Sequence, residues 1–61
     1  MSLPKDPFML LSCVNTQLRD NYASLKELCS SLGVSEEDIV STLADAGYSY
    51  DEGLNRFTAG H

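Results

Sequence analysis

Two helix starts and one helix end lie within residues 24–40, which read SLKELCSSLGVSEEDIV. Ser24 precedes Glu27 by three residues, the spacing of a capping box, in which each side chain accepts from the other residue's backbone N–H. The apolar residues that then repeat at helical spacing are Leu25, Leu28, Cys29 and Leu32. Gly33 follows, and glycine most readily takes the left-handed conformation that ends a helix. The pattern predicts a helix over 24–32.

The second helix start in this stretch is Ser35. Three acidic residues fill the first turn, where they complement the positive end of the helix dipole: Glu36, Glu37 and Asp38. The predicted buried stripe consists of Ile39, Val40 and Leu43. Gly47 ends this helix, which we place at 35–46. A helix, a tight glycine turn and a second helix therefore organise the chain.

A further helix is predicted upstream, over residues 7–21. Asp6 can cap it, and Pro7 suits the first helical position, because the missing N–H of proline costs nothing there. The apolar stripe is formed by Leu11, Val14 and Leu18, and Leu10 widens it.

Residues 48–58 fit either a hairpin or a fourth short helix. As strands, Tyr48 and Tyr50 alternate, and Phe57 returns to the same face after a glycine-containing turn. As a helix, the segment opens with a capping box of Ser49 and Glu52. Aromatic residues on both sides of the turn slightly favour the hairpin. We expect residues 58–61 to be loose.

These elements predict a mainly α fold for a single domain over residues 1–61. It is a small three-helix, helix-turn-helix-like domain that ends in a short β-hairpin, with the fourth helix as the alternative. A chain of 61 residues buries a small core, so its stability should be marginal. Self-association is one way in which such a domain gains stability.

The net charge of −5 is unevenly distributed along the chain. Residues 1–32 carry as many bases as acids, whereas residues 33–61 carry six acids and one arginine. An acidic half repels phosphate, which disfavours nucleic acids and anionic membrane surfaces as partners. In a helix-turn-helix protein the second helix enters the major groove, but here that helix begins with three carboxylates. A degenerate helix-turn-helix regulator that binds nucleic acid is therefore the alternative function.

The sequence contains no pattern typical of a metal site, a cofactor site or an enzyme active site. The chain has two cysteines, Cys13 and Cys29, and its one histidine, His61, is the last residue. Paired ligand spacings such as CxxC or HxxxH are absent, and the one histidine is far from both cysteines in the sequence. We therefore predict no enzyme activity, no metal and no cofactor. We also expect a cytoplasmic protein with reduced thiols, because the N-terminus has no apolar run suited to secretion.

The best sequence indication of function is apolar surface beyond what one helix face can bury. Phe8, Met9, Leu10 and Leu11 point all around the first helix. Some of that surface must be covered by the N-terminal arm, by a second copy as a homodimer, or by another protein. The residues predicted to bind a partner are Phe8, Met9, Tyr48 and Tyr50. The sequence thus predicts a small acidic, non-enzymatic protein-interaction module.

Four polar residues are predicted to be structural: Asn15, Arg19, Ser24 and Glu27. Asn15 and Arg19 are four residues apart and share one face of the first helix. We expect Arg19 to reach loop carbonyls or to pair with an acid of a neighbouring element.

Residues 3–12, LPKDPFMLLS, and 14–22, VNTQLRDNY, resemble a family of short bacterial proteins known only as a domain of unknown function. The likeness continues through Ser24-Leu25, Leu28-Cys29, Leu32, Gly47-Tyr48-Ser49-Tyr50-Asp51, Asn55 and Phe57. The resemblance implies a bacterial, stand-alone, cytoplasmic protein with no assigned activity and no catalytic residues.

Overall fold

The computed structural model describes residues 3–59 as three helices followed by a β-hairpin. The elements are α1 (Pro7–Asp20), α2 (Leu25–Leu32), α3 (Glu36–Asp45), β1 (Tyr48–Asp51) and β2 (Arg56–Ala59). The predicted architecture is therefore confirmed, and the alternative of a fourth helix is wrong. The two residues at each end of the predicted domain lie outside the described residues.

Each helix is capped at its N-terminus by the predicted residue. Asp6 Oδ1 accepts from the N–H of Phe8 at 2.8 Å and from that of Met9. Ser24 and Ser35 accept in the same way from the third residue after each of them. These serines have extended backbones, so α2 and α3 each begin one residue later than predicted.

The capping box at α2 differs from the predicted form in one bond. Ser24 Oγ accepts from the N–H of Glu27, as expected. The Glu27 carboxylate, however, accepts at 3.0 Å from the N–H of Ala23 rather than from that of Ser24. Both side chains therefore accept from backbone N–H groups at the start of α2, and Glu27 connects the preceding loop to the helix.

The turn between α2 and α3 depends on Gly33. This residue has a φ of 70°, and Cys29 O accepts from its N–H and from that of Val34 at 3.0 Å. Val34 is half-buried and packs against the core. The left-handed glycine thus satisfies a helix carbonyl while the next residue turns inward.

The hairpin pairs β1 and β2 in antiparallel register through a four-residue loop, 52–55. Asp51 Oδ1 accepts from the N–H groups of Gly53 and Leu54, which holds the loop closed. Tyr50 lies opposite Phe57, with 5.4 Å between the ring centroids. The prediction of a loose tail is wrong for residues 58 and 59, which belong to β2, and residues 60 and 61 lie outside the described part.

The core is formed by side chains from all three helices and from β2. Its members are Leu10, Val14, Leu18, Leu25, Leu28, Cys29, Ile39, Leu43 and Phe57. The stripe of α1 is confirmed, although Leu11 is only half-buried. In α3 the prediction for Val40 is wrong, since 38% of this residue is exposed. Ile39 and Leu43, one turn apart, face the core, and Val40 lies about 100° further round the helix.

Candidate protein-interaction surface

The start of α1 exposes two large apolar side chains in succession. Phe8 is 63% exposed and Met9 is 62% exposed. Asp6 accepts from the backbone N–H groups of both residues, so the cap fixes the turn that presents them. A rigid backbone lowers the entropy cost of binding a partner here.

The hairpin supports one side of this surface. The Phe8 ring meets the ring of Tyr48, the first residue of β1, edge to face, with centroids 6.4 Å apart and planes at 90°. Tyr48 itself is half-buried and packs against the core. The contact orients Phe8 and leaves most of its ring exposed. Of the sequence-predicted residues, the structure therefore brings Phe8 and Tyr48 into contact, and Met9 is exposed next to Phe8 along α1. We call these three residues the apolar surface.

A shallow groove runs along α1 from Met9. Its lining residues are Pro4, Met9, Ser12, Cys13, Thr16 and Gln17. Leu3 of the N-terminal arm packs against the core, while Phe8 and Met9 remain exposed. From the sequence, the N-terminal arm, a second copy or another protein could bury Phe8 and Met9. The arm from residue 3 onwards does not bury them.

Tyr50 does not join the apolar surface, in contrast to the sequence-based prediction. Its ring is half-buried against Phe57. Its hydroxyl accepts from the N–H of Leu25 at 3.3 Å and donates to Asn55 Oδ1. Side chains alternate along a strand, so Tyr48 and Tyr50 share one face of β1. Tyr50, however, connects the hairpin to the start of α2 through its hydroxyl.

Asn15, predicted from the sequence to be structural, joins α1 to β2. Its Nδ2 donates to Phe57 O at 3.1 Å, and its Oδ1 accepts from the N–H of Phe57 at 2.8 Å. The side-chain amide thus pairs with both backbone groups of one residue of β2, as a neighbouring strand would. This contact holds the hairpin against α1.

Arg19 does not contact loop carbonyls or an acid of another element, so this part of the prediction is wrong. It pairs with the adjacent Asp20, with 2.9 Å between Nε and Oδ1, and the side chains are 76% and 49% exposed. The hydrogen bond and the charge of Asp20 raise the pKa of Arg19, and the hydrogen bond from Arg19 lowers the pKa of Asp20. An exposed pair of neighbours adds little to stability.

Two backbone carbonyls near the end of α1 are bound instead by Asn55, which was not predicted from the sequence. Its Nδ2 donates to Leu18 O at 3.2 Å and to Tyr22 O at 3.0 Å. Its φ is 54°, and it is the non-glycine residue with positive φ among residues 3–59. Asparagine tolerates the left-handed region, so an asparagine shortly after a glycine in a turn was the available signal.

The two thiols occupy different environments. Cys13 is half-buried on α1, and Cys29 is buried in the core, and both are free. Burial, and secondarily the charge of Glu36, raises the pKa of Cys29. Within residues 3–59 no group of three or more His, Cys, Asp or Glu side chains is placed to hold a metal ion.

A family model described as a domain of unknown function, DUF4250, matches residues 4–57. The chain belongs to this family. The match includes the apolar surface, Asn15 and Asn55, and the DUF4250 description gives no activity. No curated protein and no solved structure matches the chain significantly. In the described part of this DUF4250 chain, no helix is both long enough and apolar enough to cross a membrane.

Proposed function

We propose that this domain is a non-enzymatic protein-interaction module that binds a protein partner through the apolar surface. The observation that supports this proposal is the exposure of Phe8 and Met9 side by side on a capped helix. Aromatic residues and methionine are enriched in the buried centres of protein interfaces. Removing apolar surface from water is favourable by roughly 25 cal/mol per Å², and the entropy cost of association is subtracted from this gain.

The partner expected at this surface presents an apolar groove or face. Phe8 projects from the first turn of α1, and its contact with Tyr48 leaves most of the side chain exposed, so that it can act as the anchoring aromatic side chain of an interaction hot spot. Charge is balanced in residues 1–32, so neither acidic nor basic proteins are repelled there.

The proposal extends to the origin and the compartment of the protein. The likeness of residues 3–12 and 14–22 to short bacterial proteins supports a bacterial protein. The free thiols of Cys13 and Cys29 support a reducing, cytoplasmic environment.

Site-specific photo-crosslinking tests the interaction. A photoreactive phenylalanine analogue replaces Phe8 in the full chain, expressed in the organism that encodes it, and irradiated cells are analysed for covalent adducts. The analogue keeps an aromatic ring at this position, so the contact with Tyr48 is retained. We expect discrete adducts with one or a few proteins.

The matched control places the same analogue at Lys26, which is exposed on α2. Adducts that form equally from both positions, or from neither, would contradict the proposal. An adduct consisting of two copies of the chain, formed from position 8 alone, would identify the partner as the domain itself.

A further inference from the structure

The only two arginines of the chain line one cleft between α1 and the hairpin loop. The cleft has a volume of about 300 Å³ and is lined by Asn15, Thr16, Arg19, Leu54, Asn55 and Arg56. Leu54, in the loop, is 59% exposed. The cleft therefore combines two guanidinium groups with an exposed aliphatic side chain.

The walls of this cleft are preformed. The amide of Asn15 is held by the backbone of Phe57, and that of Asn55 by the carbonyls of Leu18 and Tyr22. These bonds fix the spacing between α1 and the loop in the absence of any ligand. A preformed site saves the entropy of ordering at the moment of binding.

The arginines of the cleft are accessible to an incoming carboxylate. Arg19 is bonded to Asp20, but the pair is solvent-exposed, so exchange for another carboxylate costs little. Arg56 is exposed opposite Asp51, whose Oδ1 accepts from backbone N–H groups of the loop. Neither Asp20 nor Asp51 lines the cleft.

A second surface of the same chain has the opposite charge. On α3, a shallow depression is lined by Glu36, Glu37, Val40 and Ser41. Val40 is 38% exposed, and Glu36 and Glu37 lie one helical turn before it. This acidic surface also surrounds a single aliphatic side chain.

These two surfaces are complementary in charge and in apolar content. Among residues 3–59 the large apolar side chains that are exposed are Phe8, Met9, Val40 and Leu54. The first two belong to the apolar surface. Val40 instead shares its depression with two carboxylates, and Leu54 shares its cleft with two arginines. We propose that the arginine cleft binds the acidic surface of a second copy of this chain, with Val40 against Leu54.

The contact is independent of the proposed function because it uses neither Phe8 nor Met9. A two-fold dimer would form the contact twice, and a head-to-tail arrangement would form it once per pair. The net charge of −5 on each copy opposes association. At about 0.15 M salt, however, charges more than about 8 Å apart are largely screened, whereas the ion pairs inside the contact are screened much less.

Analytical ultracentrifugation of charge-reversal variants tests this contact. One variant carries Arg19→Glu and Arg56→Glu, and the other carries Glu36→Lys and Glu37→Lys. We expect the native chain to associate reversibly below about 1 mM. Each variant alone should lose at least roughly tenfold in association constant, because like charges then face each other. An equimolar mixture should recover most of the native association, since each reversed surface meets its complement.

Three results would overturn the proposal. The first is a native chain that stays monomeric at about 1 mM. The second is an association constant that either charge reversal leaves unchanged. The third is an equimolar mixture whose association constant is as low as that of each variant alone. Circular dichroism verifies that each variant is folded, and Arg19→Glu and Glu37→Lys serve as single replacements where a double variant unfolds.

The control is Lys26→Glu, a charge reversal at an exposed position of α2 that lines neither surface, and it should associate like the native chain. An equal loss of association in this control would show that the charge variants act through net charge rather than through the contact, which would also overturn the proposal. Because crosslinking at Phe8 does not depend on the arginine cleft, failure of one proposal leaves the other intact.

Discussion

Two asparagine side chains bind backbone groups that a neighbouring strand or loop would bind in a larger domain. Asn15 satisfies both backbone groups of Phe57, and Asn55 satisfies two carbonyls near the end of α1. These four bonds connect α1 and the residues just after it with the hairpin at the other end of the described fold. A two-stranded hairpin is at best marginally stable alone, so these amides compensate for the missing third strand.

Replacement of Asn55 should cost much of the stability of the domain. Asn55→Ala removes three part-buried hydrogen bonds and puts alanine at a φ of 54°. We expect a loss of about 2–4 kcal/mol in the free energy of unfolding, measured by urea denaturation. Asn55→Gly removes the same bonds but tolerates the backbone, so it should be less destabilising than alanine by about 1 kcal/mol. Equal losses in both variants would show that backbone strain plays no part.

Asn15 supports a second prediction, which concerns one backbone amide. The N–H of Phe57 donates to Asn15 Oδ1 at 2.8 Å. In Asn15→Ala this amide loses its acceptor, so hydrogen exchange at Phe57 should accelerate relative to amides inside α2. NMR-detected exchange measures the ratio. A uniform acceleration across the chain would indicate global destabilisation rather than release of the hairpin.

At the scale of elements, helix starts were predictable because each depends on a few neighbouring residues. Asp6, Ser24 and Ser35 cap the three helices as their sequence contexts indicate. Residues 48–58 were ambiguous because tyrosine and phenylalanine at that spacing satisfy both periodicities. The hairpin is selected by contacts with α1 and α3, and these contacts are absent from any local pattern.

The turn after α2 should be sensitive to a side chain at Gly33. An added Cβ would meet nothing within 4 Å, so only the backbone conformation at a φ of 70° opposes substitution. We expect Gly33→Ala to lower the free energy of unfolding by about 1 kcal/mol and Gly33→Asn to lower it by less. Thermal denaturation compares both variants with Ser30→Ala, an exposed site within α2. A neutral Gly33→Ala would show that the turn relaxes to a different conformation.

At the scale of the whole molecule, charge separates the two halves of the fold. The exposed first turn of α3 holds Glu36, Glu37 and Asp38, where a helix-turn-helix protein would approach phosphates. We therefore expect no saturable binding of duplex DNA in a fluorescence anisotropy titration at low salt, up to about 100 μM protein. Tight binding that weakens as salt rises would favour the nucleic-acid alternative.

The exposed surface was predictable only in part. Consecutive apolar residues on one helix indicated that Phe8 and Met9 exceed what a single face can bury, and both are exposed. Sequence spacing could not show that Tyr50 turns inward or that Val40 faces outward. Their orientation depends on how the hairpin and α3 pack, which is a property of the assembled core. The same holds for Asn55, whose partners lie 33 and 37 residues away.

The bond between Asn15 and Phe57 also bears on how fast the domain folds. The two residues are 42 positions apart, so forming it closes most of the chain into one ring. Helical turns nucleate from neighbouring residues and precede such long-range closure. Docking of the hairpin against α1 should therefore limit the refolding rate. The domain should fold more slowly than an all-helical bundle of the same length.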